Sequence, residues 1–155
     1  TEDNRKFWDG NKASYQGSLY AGLLIFLSRP YIGTTILDAG AGDGSLLKEI
    51  NKNIPSATAR GIDISPKNPE VEQGDLKNLP YDDGSFDTVF CSEVIEHLTP
   101  DTTDMVLKEL NRVLQPFGSL ILTTPFAEDL KKNLITCPGC GLSFHRWGHQ
   151  QNFVE

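Results

Sequence analysis

Three cysteines in 155 residues are too few to staple a secreted fold, and one of them, Cys91, lies inside an apolar run. That scarcity excludes a disulfide framework and fits a reducing, cytoplasmic setting. No apolar run is long enough to cross a bilayer. The longest, YAGLLIFL at 20–27, has the length of a core-facing helix segment. Basic residues are in deficit, 14 Lys and Arg against 21 Asp and Glu, for a net charge of −7. So acidic a chain offers no general face for nucleic acid or an anionic membrane, because phosphate binding needs positive charge. Lys131, Lys132 and Arg146 form the one local basic patch. No signal peptide opens the chain and its first residue is Thr, so a start inside a longer gene product, or behind a removed tag, is expected.

What is present is an ordinary globular balance, 38% hydrophobic and 23% charged, at a length that supports one core. Residues 1–15 are polar with interspersed Phe7, Trp8 and Tyr15 and read as an arm or lid. From Gly17 to Arg29 the leucines at 19, 23, 24 and 27 recur at helical spacing until Pro30. The rhythm then becomes strand, turn, helix. TILDAG at 35–40 is a strand, SLLKEINKN a helix closed by Pro55, ARGIDIS at 59–65 a second strand, and VEQGD at 71–75 a short third. FDTVFCS at 86–92 is a fourth strand, 101–114 an amphipathic helix, and SLILTTP at 119–125 a fifth strand after Gly118. This alternation predicts an α/β fold, a doubly wound, mostly parallel sheet covered on both faces. Three segments follow: an N-terminal arm and helix at 1–33, a ligand-binding core at 34–125, and a loop at 126–155.

In such a sheet ligands bind beyond the carboxyl ends of the strands. The first strand runs into Asp38-Ala-Gly40-Ala-Gly42-Asp43-Gly44 and straight into a helix. Glycines admit close backbone approach, and a helix start offers unpaired N–H groups. The spacing is GxGxG, with Ser45 where a dinucleotide fingerprint has its third glycine, which weakens a nicotinamide reading. Asp63 ends the second strand, where a carboxylate can accept both ribose hydroxyls. Asp75 follows the third strand and Asp87 opens the fourth. A nucleoside without a pyrophosphate suits this set.

ILDAGAGDGSLLKEI, GIDIS, GDLKNLPYDDGSFDTVFCSEVIEHL and RVLQPFGSLILTTP resemble, in order, the motifs of class I S-adenosylmethionine-dependent methyltransferases, nearest to the broad type 11 group. The resemblance spans 34–125 and implies a Rossmann-like fold and S-adenosylmethionine as cofactor. It places Gly40 and Gly42 against the methionine part, with Asp38 at its amino end. Asp63 takes the ribose hydroxyls, Ile64 lies beside the adenine, Asp75 and Leu76 flank the adenine edge, and Cys91 and Ser92 lie under the methionyl chain. The full fold of this family has seven strands, so this chain, with five legible, is expected to lack the last C-terminal ones. The fifth would then be an apolar edge.

After the fourth strand comes Glu93-Val-Ile-Glu96-His97, near where an acceptor would meet the methyl group. His97, with Glu93, is a candidate for base work on an O- or N-nucleophile; the alternative is a structural histidine that orients a loop. The E-x-x-E-H pattern also resembles small-RNA ribose 2′-O-methyltransferases, in which case Glu93, Glu96, His97 and His149 would hold a divalent ion. The tail, CPGCGLSFHRWGH at 137–149, spaces Cys137, Cys140, His145 and His149 as C-x2-C-x4-H-x3-H. Four such donors match a closed structural zinc site, with a redox pair or unligated thiols as alternatives. The sequence thus predicts a methyltransferase acting on a small-molecule acceptor, with no nucleic-acid or membrane partner and with zinc in its tail. A catalytically silent cofactor-binding or protein-interaction module is the different-class alternative.

Overall fold

A computed structural model describes residues 17–136, 138, 141 and 143–154. Helix α1, Gly17–Ser28, ends in a 3-10 turn at Arg29–Tyr31, where Pro30 removes a backbone donor. Strand β1 is Thr35–Ala39, helix α2 Ser45–Asn53, β2 Thr58–Asp63, β3 Val71–Gln73 and β4 Phe86–Ser92. Helix α3 is Pro100–Val113 and β5 Leu114–Thr123. The five strands lie in the order β3-β2-β1-β4-β5, every neighbour pair parallel. The order reverses between β1 and β4, so the crevice of this sheet opens at their carboxyl ends.

Strand alternation divides the core in two. Ile36 and Phe90 face α1 and α2, where they meet Ala21, Ile25, Leu46 and Ile50. Leu37, Ala39, Val89 and Cys91 face the other way, onto Val106, Leu110 and Val113 of α3. Full burial of each large aliphatic or aromatic side chain contributes about 1.5–3 kcal/mol. Helix α3 starts where the sequence says it should. Thr99 accepts the Thr102 amide at 3.4 Å, Pro100 occupies the first turn and Asp101 complements the helix dipole.

Two features differ from the sequence expectation. β5 begins at once after α3: Leu114 pairs with Phe86, and pairing resumes at Ser119 opposite Thr88. The intervening residues bulge past Asp87, with Phe117 fully exposed at φ 67°. Asp87 itself is a clamp rather than a ligand carboxylate. Its Oδ2 accepts from the amides of Thr34 (2.6 Å) and Thr35 (2.9 Å) and from the Thr34 hydroxyl (3.0 Å), at the amino end of the sheet. These amides hold its pKa below the usual carboxylate value.

The second difference is the tail, which is not all loop. β6, Leu134–Thr136, and β7, Ser143–His145, form an antiparallel pair with Leu134 opposite His145. The chain then returns to the segment that follows β5. The Ala127 amide donates to the Phe153 carbonyl at 2.8 Å, and Phe153 packs on the α3-side core. Among the described residues β5 is the outer strand, with Leu120 exposed beside the still more exposed Leu27 of α1.

Candidate functional site

The β1–α2 turn is tied to the end of β2. The amides of Gly40 and Ala41 both donate to the Ile62 carbonyl, at 2.8 and 3.1 Å. Gly40 (φ 89°) and Gly42 (φ 50°) take left-handed backbone that a side chain strains. A Cβ on Gly40 would strike Val94, whereas one on Gly42 would meet nothing within 4 Å. The turn is therefore packed on one side and open above Gly42.

Asp38 lies under this turn, buried, with its Oδ2 lacking any hydrogen-bond partner. Burial, then the charges of Asp63 and Asp43, raise its pKa to about 7, against a hydrogen bond from the Leu47 backbone that lowers it. A buried carboxylate oxygen without a partner is costly, and a cationic group would relieve it. Asp63 is better satisfied. Its Oδ2 accepts the Gly42 amide at 3.0 Å and its Oδ1 the Ser65 amide at 2.8 Å, which leaves each oxygen one lone pair.

Asp75 is half-buried beyond β3. Its Oδ1 accepts the Lys77 amide at 3.0 Å, and its Oδ2 pairs with the Lys77 ammonium at 3.3 Å. Leu76 is buried in the core, and Ile64 is half-buried at the end of β2. Cys91 points into the α3-side core, where burial pushes its thiol up to about 12 and keeps it protonated. The Ser92 hydroxyl shares a hydrogen bond with Thr123 at 2.7 Å.

The carboxyl end of β4 passes into a short turn at Ile95–His97. Glu93, before it, is a non-glycine residue at φ 55°, strain of the kind that accumulates at ligand sites. Burial is the main cause that raises Glu96 to about 7, with the neighbouring Glu93 also raising it. Burial is likewise the main cause that lowers His97, to about 4, with His149 adding to it. The His97 imidazole is thus neutral at pH 7.

The tail meets this turn. The amides of Gln150 and Gln151 donate to the Glu96 carbonyl, at 2.6 and 3.2 Å. The Gln151 side-chain nitrogen lies 2.7–3.0 Å from the Ile95 and Leu98 carbonyls and the Thr103 hydroxyl. His149 accordingly packs edge-on against His97, ring centroids 4.8 Å apart.

The expected zinc loop of Cys137, Cys140, His145 and His149 is corrected by this arrangement. The histidines assemble with carboxylates. His149 Nδ1 lies 2.5 Å from Glu128 Oε2, and His145 Nε2 lies 3.5 Å from Glu128 Oε1. Two donor groups result, Glu96–His97–His149 and Glu128–His145–His149, each with its ligand atoms within 4.8 Å of one another. The physical reason is the inward face of β7, which buries His145. The turn after it stacks His149 over that ring at 4.7 Å, and Glu128 from the loop after β5 meets both. Cys137 and Cys140 lie outside the described residues. Of Glu93, Glu96, His97 and His149, the last three share a group and Glu93 does not.

Glu128 and Gln151 are the residues that sequence reasoning missed. Both act across gaps of 17 or more residues, and nothing local marks them apart from Glu128's place just past a strand end.

Residues 37–122, more than half of the chain, match the family described as methyltransferase domain. A malonyl-[acyl-carrier protein] O-methyltransferase of Legionella pneumophila is 32% identical over 133 residues, covering 77% of this chain and 45% of the relative. A tRNA (carboxymethyluridine(34)-5-O)-methyltransferase of Arabidopsis thaliana is 35% identical over 120 residues, covering 72% and 29%. The chain spans less than half the length of these curated relatives. Among solved structures, a protein of Pyrococcus horikoshii OT3 superposes with a TM-score of 0.64 at 24% identity, over 85% of this chain and 65% of that one.

Proposed function

The chain belongs to the methyltransferase-domain family, and from that membership we propose that it binds S-adenosylmethionine in the β1–α2 turn and passes the methyl group to a small-molecule acceptor beside Glu93–His97. The observation that carries the reading is the turn itself: an unpartnered buried Asp38 oxygen below, an open Gly42 above, and Asp63 fastened to the Gly42 amide. These groups fit a cationic amino acid joined to a ribose. When bound, S-adenosylmethionine supplies an electrophilic methyl on a sulfonium.

The chain's own part is binding and alignment. Asp38 holds the amino group, and the Asp63 oxygens use their remaining lone pairs for the ribose hydroxyls. Ile64, Leu76 and Asp75 border the base, and Gly40 and Gly42 let the methionyl part approach the backbone. Ser92 lines its far side. Cys91, being in the core, supports that floor from beneath. The Glu93–His97 turn borders the acceptor, and Glu93 orients its nucleophile. Methyl transfer needs in-line approach more than a covalent catalyst, so positioning supplies much of the rate. The acidic balance of the chain supports a small-molecule acceptor over a nucleic acid.

Calorimetry on the full chain with S-adenosylmethionine and S-adenosylhomocysteine tests the cofactor half; binding of neither overturns it. Transfer of labelled methyl groups to a metabolite extract and to an RNA pool tests the acceptor. Label in RNA alone would overturn the small-molecule assignment, and cofactor binding without transfer to either pool would point to the silent module.

A further inference from the structure

We propose that Glu96, His97 and His149 hold one divalent transition-metal ion, and that Glu128 is the positioning residue that aims His149 at it. The site needs no thiolate and does not depend on the identity of the methyl acceptor.

Two overlapping donor groups share His149, and hydrogen bonding decides between them. Metal-ligating histidines characteristically donate their other ring N–H to a carboxylate or backbone carbonyl, which fixes the tautomer. His149 has that arrangement: its Nδ1 contacts Glu128 Oε2 at 2.5 Å, so the Nδ1 proton belongs to this contact and Nε2 carries the lone pair. His97, its ring edge-on to His149 at 4.8 Å, is the neighbouring imidazole donor. His145 has the opposite arrangement. Its Nδ1 accepts the His149 amide at 3.2 Å, which places the proton on Nε2, the nitrogen facing Glu128. A protonated Nε2 cannot ligate there. Glu128 therefore serves as the outer carboxylate to His149, and His145 as a buried prop beneath it.

The third donor is Glu96. Its side chain is 1% exposed, and its Oε1 has no hydrogen-bond partner. Oε2 accepts from the Thr124 hydroxyl at 3.4 Å. A carboxylate so enclosed, with one oxygen unpartnered and a ligand atom within 4.8 Å of two imidazole donors, is ready for a cation. Two imidazoles and one carboxylate suit zinc, cobalt(II) or iron(II), and three protein ligands leave a fourth position for water or another oxygen. The ion would fasten the tail to the turn after β4.

Cobalt(II) and zinc titrations of the metal-free full chain test this, read by absorption and by competition with a chelating dye. The expected result is one equivalent bound, with cobalt d–d bands and no thiolate-to-cobalt charge-transfer band. Glu96→Gln, a neutral isostere that suits a buried site, should abolish binding. Glu128→Gln should weaken it about 10–100-fold, the range for an outer-shell partner. The double substitution Cys137→Ser, Cys140→Ser should leave the wild-type cobalt spectrum unchanged. Absence of binding, a thiolate band, wild-type affinity in Glu96→Gln, or a loss in Glu128→Gln as complete as in Glu96→Gln would each overturn the assignment. The wild-type spectrum alone decides the thiolate question if a variant fails to fold.

Discussion

The Asp63 carboxylate accepts the Gly42 amide at 3.0 Å, which ties the end of β2 to the crest of the glycine turn. Removing that carboxylate loosens the turn and deletes the partner proposed for the ribose. Hydrogen bonds to charged groups contribute about 1.5–3 kcal/mol, or roughly 10–100-fold in affinity. Asp63→Ala should weaken S-adenosylhomocysteine binding by that factor in calorimetry, and Asp63→Asn, which keeps one acceptor oxygen, by less. Unchanged affinity in both would remove Asp63 from the site.

Gly40 and Gly42 should separate stability from binding. Gly40→Ala places a methyl into Val94 and strains φ, so its melting temperature should fall markedly. Gly42→Ala meets open space and costs only the left-handed strain, about 1–2 kcal/mol. It should melt close to wild type and still lose cofactor binding. Normal binding by Gly42→Ala would show that the open side of the turn is not where the cofactor lies.

The Asp38 pKa, raised to about 7 mainly by burial, sets a pH dependence with a definite sign. Its folded pKa exceeds the unfolded value near 4, so the cofactor-free chain holds more protons folded than unfolded between those limits. The stability this group contributes is complete below about pH 4 and is lost as pH rises through about 7. Asp38→Asn should erase that slope and melt above wild type at pH 8. Cofactor binding runs the other way. An ionised Asp38 suits an ammonium, so affinity should rise about tenfold from pH 6 to pH 8 in wild type and stay flat in Asp38→Asn. A flat wild-type profile would mean that Asp38 does not meet the amino group.

Gln151 should govern the tail without governing the core. Its side chain satisfies acceptors on both sides of the Ile95–His97 turn, and leaving them unpaired costs about 1–3 kcal/mol. Gln151→Ala should speed amide exchange across 126–153 while β1, β4 and α3 keep wild-type protection. Uniform acceleration across the whole chain would instead make the tail part of the cooperative core.

The sequence reveals most where the signal is local and periodic. β1 to β4, α2 and α3 follow apolar runs, caps and glycine turns, whereas α1 turns Ala21 and Ile25 to the core and leaves Leu23 and Leu27 of its leucine stripe exposed; Asp38 and Asp63 stand at strand ends where α/β chemistry gathers. The bulge before Ser119 was not legible, because it is set by register against β4 and the space around Asp87. The β6–β7 pair was hidden by its length, three residues a side, below any usable period. The metal-ligand spacing of the tail read as thiolate and imidazole together, yet the described histidines turn to Glu128, a residue defined only by tertiary approach. Asp87 shows the converse error: an acid in the right sequence order, at the wrong end of the sheet.

The Glu96 carbonyl takes both the Gln150 and Gln151 amides, so the acceptor-side turn and the tail share one main-chain anchor. Two sites joined through a common element are bound by reciprocity: whatever factor the occupant of one adds to the ordering of the other is returned in its own affinity. If an acceptor at the proposed site ordered the Glu93–His97 turn and, through it, the tail, a contact that ordered the tail would return the same factor in acceptor affinity. Such a link would tune the proposed acceptor site without touching a single residue of the cofactor turn.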